Sequence, residues 1–531
     1  MLNTSHTVHT TSTNTIEQNT HTPHHGSLEH SSIEHYGDMP PEEFRRHADT
    51  VAAWIQDYLR RVSGSDVAAL PKVLPNVEPR SITQMLPARA PQTGETVEEI
   101  LRDFERVIVP NTTLWNHPNF FAYFAISASG IGILAEFLAA ALNNNSMVWK
   151  SGQAATELEQ HVLGWLAEAM GLPRTLWGMI FDTASISTMQ ALACAREEAG
   201  LAARERGLAG RTDMAVPRLR VYASELVHSS IDKACITLGL GAENCVKIPA
   251  NERLQMRPEA LERAIVNDKA AGYLPICVVG VVGTTSAGSS DPIAALADIC
   301  ERERLWLHVD AAWAGPAAML EEWRDRFAGW ERADSIVVNP HKWLFVPVDL
   351  SVLYSRKPQV LKQAFSLTPE YLKTTEDALV ENMMDYGIQL GRRFRSLKLW
   401  FVLRYFGTEG IKARLREHIA LAQYFARLVD EHPDFELLAP VEFALVCFRW
   451  NPRSLYDAHH SPEEQQRLIE TLNIELEERV CADGDIFIVH TKLHNVYTLR
   501  FTVGNLHTTQ AHVQQAFVRL VEAARTIAAE R

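Results

Sequence analysis

Between about residues 122 and 395 the chain alternates helical stretches with short apolar runs, RLRVYAS, ICVVGVVG, RLWLHVDAA and DSIVVNP among them. Runs this apolar have no polar face to turn toward water, so they read as strands covered on both sides. Helices between successive strands supply that cover, and the pattern predicts an α/β fold with a parallel or mostly parallel sheet. In such sheets ligands bind at the carboxyl ends of the strands. The polar residues that close the apolar runs are therefore the first candidates for chemistry.

The flanks read differently. Residues 1–37 are rich in Thr, Ser, Asn and His and nearly free of large apolar side chains. Such a composition cannot offset the entropy of ordering and predicts a disordered tail. Its histidines are irregularly spaced, so no metal site is expected there. Over residues 38–121, EEFRRHADTVAAWIQDYLRRV carries Phe44, Val51, Ile55 and Leu59 at helical spacing, and a Pro-rich stretch leads to a second helix in TVEEILRDFERVI. Two helices have no core of their own, so this segment is expected to pack on something larger, such as another subunit. Residues 122–399 form the expected large domain. Residues 400–531 are expected to form a smaller α+β domain, with strands in FELLAPVEFALVCFRW and NVYTLRFTVG and a closing helix in TTQAHVQQAFVRLVEAARTI.

Composition narrows the function classes. Asp and Glu number 65 against 51 Lys and Arg, a net charge of −14 that disfavours nucleic acid and anionic membranes as partners. The seven cysteines are scattered and form no CxxC pair, which signals neither zinc nor a disulfide framework and fits a reducing cytoplasm. The chain shows no basic-then-apolar start and no apolar run approaching ~18 residues, so secretion and membrane insertion are not expected. Small-molecule chemistry is the better expectation.

That chemistry concentrates in VVNPHKWLFV, residues 337–346. Lys342 stands there between a strand end and the apolar Trp343, Leu344 and Phe345. A lysine rarely goes under such a lid unless it is paired or has shed its charge. Earlier in the chain Asp310 closes the run LWLHVD, just before the small residues Ala311, Ala312, Ala314 and Gly315. A strand-end Asp with a strand-end Lys suits pyridoxal phosphate. The lysine amine forms a Schiff base, and the carboxylate keeps the pyridine nitrogen protonated so that the ring accepts electrons from the substrate's α-carbon. MIFDTASISTMQALACAREEA opens a helix at Thr183, Ala184 and Ser185, a suitable cradle for a phosphate. SELVHSSIDKA offers His228 as a flat partner for the ring. Taken alone, a capped helix and a single histidine are ordinary structural features; their order along the chain is what joins them.

Asp-Thr-Ala-Ser, Val-His-Ser-Ser, His-Val-Asp-Ala-Ala-Trp-Ala-Gly and Asn-Pro-His-Lys-Trp, in this order and spacing, resemble the group II pyridoxal-phosphate amino-acid decarboxylases, most closely the aromatic-L-amino-acid decarboxylases. The resemblance covers nearly everything from Pro40 to the C-terminus, including NHPNFFAYF, ATELE and LGRRFRSLKLWFVLRYFG. It implies an aminotransferase-like fold of type I, with a mostly parallel central sheet, an N-terminal helical segment and a small C-terminal α+β domain. It also implies Lys342 as the Schiff-base lysine, Asp310 as the pyridinium partner, His228 above the ring and Ala312 beneath it. Thr183, Ala184, Ser185 and Asn339 are implied around the phosphate, Thr285 as a further contact near the ring, and His341 on the substrate side. The same resemblance implies a homodimer, with the N-terminal helices wrapped around the other subunit and the active sites at the interface.

For the substrate, the resemblance implies an aromatic L-amino acid of the Trp, Tyr, Phe or DOPA type, converted to its amine and carbon dioxide. The aromatic run holding Trp115, Tyr123 and Phe124 agrees with this. The segment ALNNNSMVWKSGQAATELE corresponds to the part of the family that reaches into the partner's pocket, which assigns Asn145, Met147 and Trp149 to the substrate side. That segment is polar and carries Lys150, so an acidic or diamino substrate stays open. Tyr371, in the altered loop SLTPEYLKTTEDALVENMMDYGIQLGRR, is implied as the group that protonates the α-carbon. An aldehyde synthase would share the other motifs and replace this tyrosine's chemistry. An aminotransferase would want an arginine for the substrate carboxylate, and the cluster Arg392, Arg393 and Arg395 singles none out. An inert scaffold would have to keep all these positions by accident.

Overall fold

The computed structural model describes residues 37–64, 69–456 and 461–531. All of the expected tail except Gly37 lies outside them. The chain divides into two compact units between Asp57 and Tyr58. The first holds most of the helix Pro41–Val62, which opens on Glu42 and Glu43 and closes on Arg60 and Arg61. Acids at the amino end and bases at the carboxyl end oppose the helix dipole, and Arg45 meets Asp49 one turn on at 2.9 Å.

The second unit is built on a seven-stranded sheet. Its strands are β1 (Trp177–Phe181), β2 (Leu219–Ser224), β3 (Cys245–Ile248), β4 (Leu274–Val281), β5 (Trp306–Asp310), β6 (Ser335–Val338) and β7 (Ser351–Ser355), in the spatial order β1-β7-β6-β5-β4-β2-β3. The apolar runs singled out in the sequence are β2, β4, β5 and β6, which are parallel to one another through β4 and β5. Strand β7 runs antiparallel to both β6 and β1. Every residue of β5 and β6 is buried, as an apolar run covered on both faces requires.

A second, antiparallel sheet has the order β10-β11-β9-β8, with β8 at Phe435–Leu437, β9 at Leu445–Trp450, β10 at Val489–Leu493 and β11 at Val496–Thr502. The expected closing helix is Gln510–Ala529. The long helix Ser396–Glu431 leads from the first sheet to the second and breaks at Gly407, whose φ of 62° favours a residue without a Cβ. The expected domain boundary at 399/400 falls inside this helix, with no linker there. Phe501 of β11 stacks on Phe425 of that helix at 3.8 Å and on Phe121 at 4.0 Å, so the two sheets share one core.

One buried ion pair fixes the segment leading into the long helix. Arg392 and Glu159 lie 2.6 Å apart with side chains 2% and 3% exposed, and both also bond the backbone of Ile180. Removing one partner strands the other charge in the core. Glu159→Ala is expected to destabilise the fold by about 3–5 kcal/mol, read as a lower denaturant midpoint at unchanged slope.

Candidate active site

The carboxyl ends of the parallel strands converge on a cavity of about 240 Å³. Strand β5 delivers Asp310 and then Ala312; β6 delivers Asn339 and, one helical turn on, His341 and Lys342. The turn after β4 adds Thr285, the loop after β2 adds His228, and the start of the helix Ala184–Glu198 adds Thr183, Ala184 and Ser185. All ten residues expected at the cofactor thus line one wall or another of the same space. Gly283 allows the approach: its φ is +81°, and a Cβ there would sit 2.5 Å from that of Ala314.

The electrostatics follow from burial. Lys342 is half-buried and its free surface lies on the cavity; burial lowers its pKa while Asp310 works in the opposite direction. A lowered pKa leaves more neutral amine, the nucleophilic form. Asp310 accepts the Ala312 N–H through Oδ1 at 3.0 Å, which orients the carboxylate at the strand end. Burial also holds His228 below its ordinary value against the pull of Asp310. The Ser230 N–H donates to its Nδ1 at 3.1 Å, so neutral His228 carries its proton on Nε2. Burial, followed by the charge of Lys342, pushes His341 down to about 3, and the Leu350 N–H donates to its Nδ1 at 2.9 Å.

The chain matches the model of the pyridoxal-dependent decarboxylase conserved domain over residues 79–451. This chain belongs to the pyridoxal-dependent decarboxylase family. Among curated relatives, it is 37% identical to a phenylacetaldehyde synthase of Petunia hybrida, over 90% of this chain and 94% of that protein. It is also 37% identical to tryptophan decarboxylase TDC2 of Camptotheca acuminata, over 92% and 95%. The crystal structure of Oryza sativa TDC with PLP and tryptamine superposes with a TM-score of 0.85 at 33% identity, covering 92% of this chain and 99% of that one.

Pyridoxal phosphate is therefore the cofactor of this decarboxylase, and the cavity fits it. The helix Ala184–Glu198 starts without a side-chain cap, because the Thr183 hydroxyl donates to Asp182 at 3.2 Å; its first N–H groups suit a phosphate. The buried amide of Asn339 keeps its Oδ1 without a hydrogen-bond partner among the described residues. Lys342 can carry the cofactor covalently, and Asp310 can hold a proton on a ring nitrogen. When bound, the group supplies an electron sink for the substrate's α-carbon.

The decarboxylase gathers fewer of the residues expected at the substrate. Phe124 lines the cavity, with its ring centroid 5.2 Å from Lys342 Nζ. Trp115, Tyr123, Asn145, Met147, Trp149 and Tyr371 do not line it. Trp115 and Tyr123 form an exposed aromatic ledge with Phe487, Asn145 accepts the Arg392 N–H, and the Trp149 indole donates to Glu157. Tyr371 is 78% exposed.

Sequence reasoning missed Trp313, which stacks on Phe124 at 4.2 Å and on Trp343 at 4.9 Å, joining the Asp310 and Lys342 segments. It also missed Arg500, 3% exposed and 5.7 Å from the Phe124 centroid, although an arginine inside the apolar run VYTLRFTV is the same kind of signal as Lys342.

Proposed function

We propose that this decarboxylase converts an aromatic L-amino acid to its amine in a homodimer, in the cytoplasm. The observation that carries the substrate class is the aromatic wall of the cavity, where Phe124 stacks on Trp313 at 4.2 Å and both line the space. Flat apolar faces favour a ring over a carboxylate side chain. The dimer is supported by the helix Gly130–Leu142, which exposes Leu134, Leu138 and Leu142 on its way into the 143–150 segment. In a second copy, that segment would bring Asn145, Met147 and Trp149 toward the neighbouring cavity. The free cysteines support a reducing compartment.

Within this reading, Lys342 would anchor the cofactor, Asp310 would hold a proton on its ring nitrogen, His228 and Ala312 would contact its ring, and Tyr371 would give a proton to the substrate's α-carbon. The test is carbon dioxide release from a panel of L-amino acids. Trp, Tyr, Phe or DOPA is expected to lead; preference for glutamate or a diamino acid overturns the proposed substrate class.

A second reading, oxidative conversion to the aldehyde, is favoured by the similarity to a phenylacetaldehyde synthase. Tyr371 separates the two. Tyr371→Phe is expected to keep releasing carbon dioxide while consuming oxygen and yielding mainly aldehyde, because the electron-rich α-carbon goes unprotonated. Amine as the main product of Tyr371→Phe would assign the proton to another group, such as His228.

A further inference from the structure

The segment from Ser366 to Arg395 carries Tyr371 and is tied down only at other points. Asn382 is buried in it and uses both ends of its amide: Oδ1 accepts the Trp149 N–H at 2.9 Å, and Nδ2 donates to Asp377 at 2.8 Å. Asp377 in turn accepts the Thr374 N–H at 3.0 Å and the Thr374 hydroxyl. Nearby, Leu372 packs with Val148 and Met384, the Met384 N–H donates to the Met147 carbonyl at 3.0 Å, and Lys150 lies 3.7 Å from Glu376. Tyr371 is exposed while the next residue, Leu372, is buried. The tyrosine is therefore held through its neighbours, by a chain from Thr374 to Asp377 to Asn382 to the 147–150 backbone.

We propose that Asn382 is a positioning residue that sets how the loop presents Tyr371, and so sets the share of turnovers that end in amine and not aldehyde. This rests on the reading of Tyr371 as proton donor. In the amine branch the Tyr371 O–H bond breaks, a C–H bond forms at the α-carbon, and the tyrosinate recovers a proton from water. In the aldehyde branch dioxygen takes up two electrons and leaves as hydrogen peroxide, water supplies the carbonyl oxygen, and the amino group leaves as ammonia. A loop held out of register favours the second branch without touching the residues that release carbon dioxide. An amide suits the joint because it donates at one end and accepts at the other.

Asn382→Asp keeps the shape, removes the donor and sets a carboxylate against Asp377. In the holoenzyme turning over its preferred aromatic L-amino acid, the aldehyde-to-amine ratio is expected to rise about tenfold, while carbon dioxide release changes by less than about twofold. The cofactor's visible absorption is expected to stay unchanged. Adding Asp377→Asn restores one donor and one acceptor in reversed order and is expected to bring the amine share back, which a general loss of structure would not do. Asp377→Ala cuts the same link from the loop side and decides the matter if the Asn382 variant fails to fold.

A wild-type product ratio in Asn382→Asp or Asp377→Ala, or no recovery in the double variant, overturns the proposal. Tyr371→Phe is run alongside. If it gives mainly aldehyde while the Asn382 and Asp377 variants keep the amine, positioning by Asn382 fails and the role of Tyr371 stands. If it gives mainly amine, the reading of Tyr371 fails, and the proposal falls with it.

Discussion

Lys342→Ala is expected to lower turnover by at least about 10⁴-fold, because it removes a nucleophile that no neighbour replaces. Among the described residues Lys342 is the only lysine lining the cavity. Its burial is what makes the amine serviceable: desolvation lowers the pKa, and the neutral form can attack the cofactor's aldehyde. Alanine leaves Asp310, His228 and the helix start intact, so pyridoxal phosphate is expected to remain bound noncovalently, held by its phosphate and ring contacts. The measurement is carbon dioxide release together with the visible absorption of the lysine-linked cofactor. Retention of both would place the covalent anchor on another residue.

Asp310→Asn is expected to lower kcat by about 10²–10³-fold with KM much less affected, since it removes a charge aimed at the ring and not a substrate contact. The asparagine Oδ1 can still accept the Ala312 N–H that Asp310 accepts at 3.0 Å, so the strand end keeps its shape. The variant also has a pH signature. Asp310 raises the pKa of Lys342, and removing its charge lets that pKa fall further. The lysine then becomes neutral at a lower pH, so the pH at which the apoprotein takes up pyridoxal phosphate is expected to shift down. A near-wild-type kcat for Asp310→Asn would mark the carboxylate as a structural cap for the Ala312 N–H.

The amino-acid order alone determined the sheet's central strands and the chemistry at their ends. Strands β2, β4, β5 and β6 announce themselves as unbroken apolar runs, and the residues that follow such runs sit at the carboxyl edge of the sheet, where folds of this kind bind ligands. Asp310 and Lys342 are legible for that reason, whereas Asn339 is assigned only through the family resemblance. Local pattern could not give the antiparallel course of β7, because periodicity states which faces are buried and says nothing of strand direction. Nor could it pair Trp313 with Phe124, Arg500 with that same ring, or Glu159 with Arg392. Those partners are far apart in the chain, and only folding brings them within contact. Trp115, Asn145, Met147, Trp149 and Tyr371 lie outside the cavity of their own chain while Phe124 lines it, and it is the family resemblance, not residue type, that assigns Asn145, Met147 and Trp149 to a partner's pocket. Tertiary structure decided that difference, since an aromatic or an amide reads alike in sequence whether it faces a ligand, a neighbouring helix or solvent.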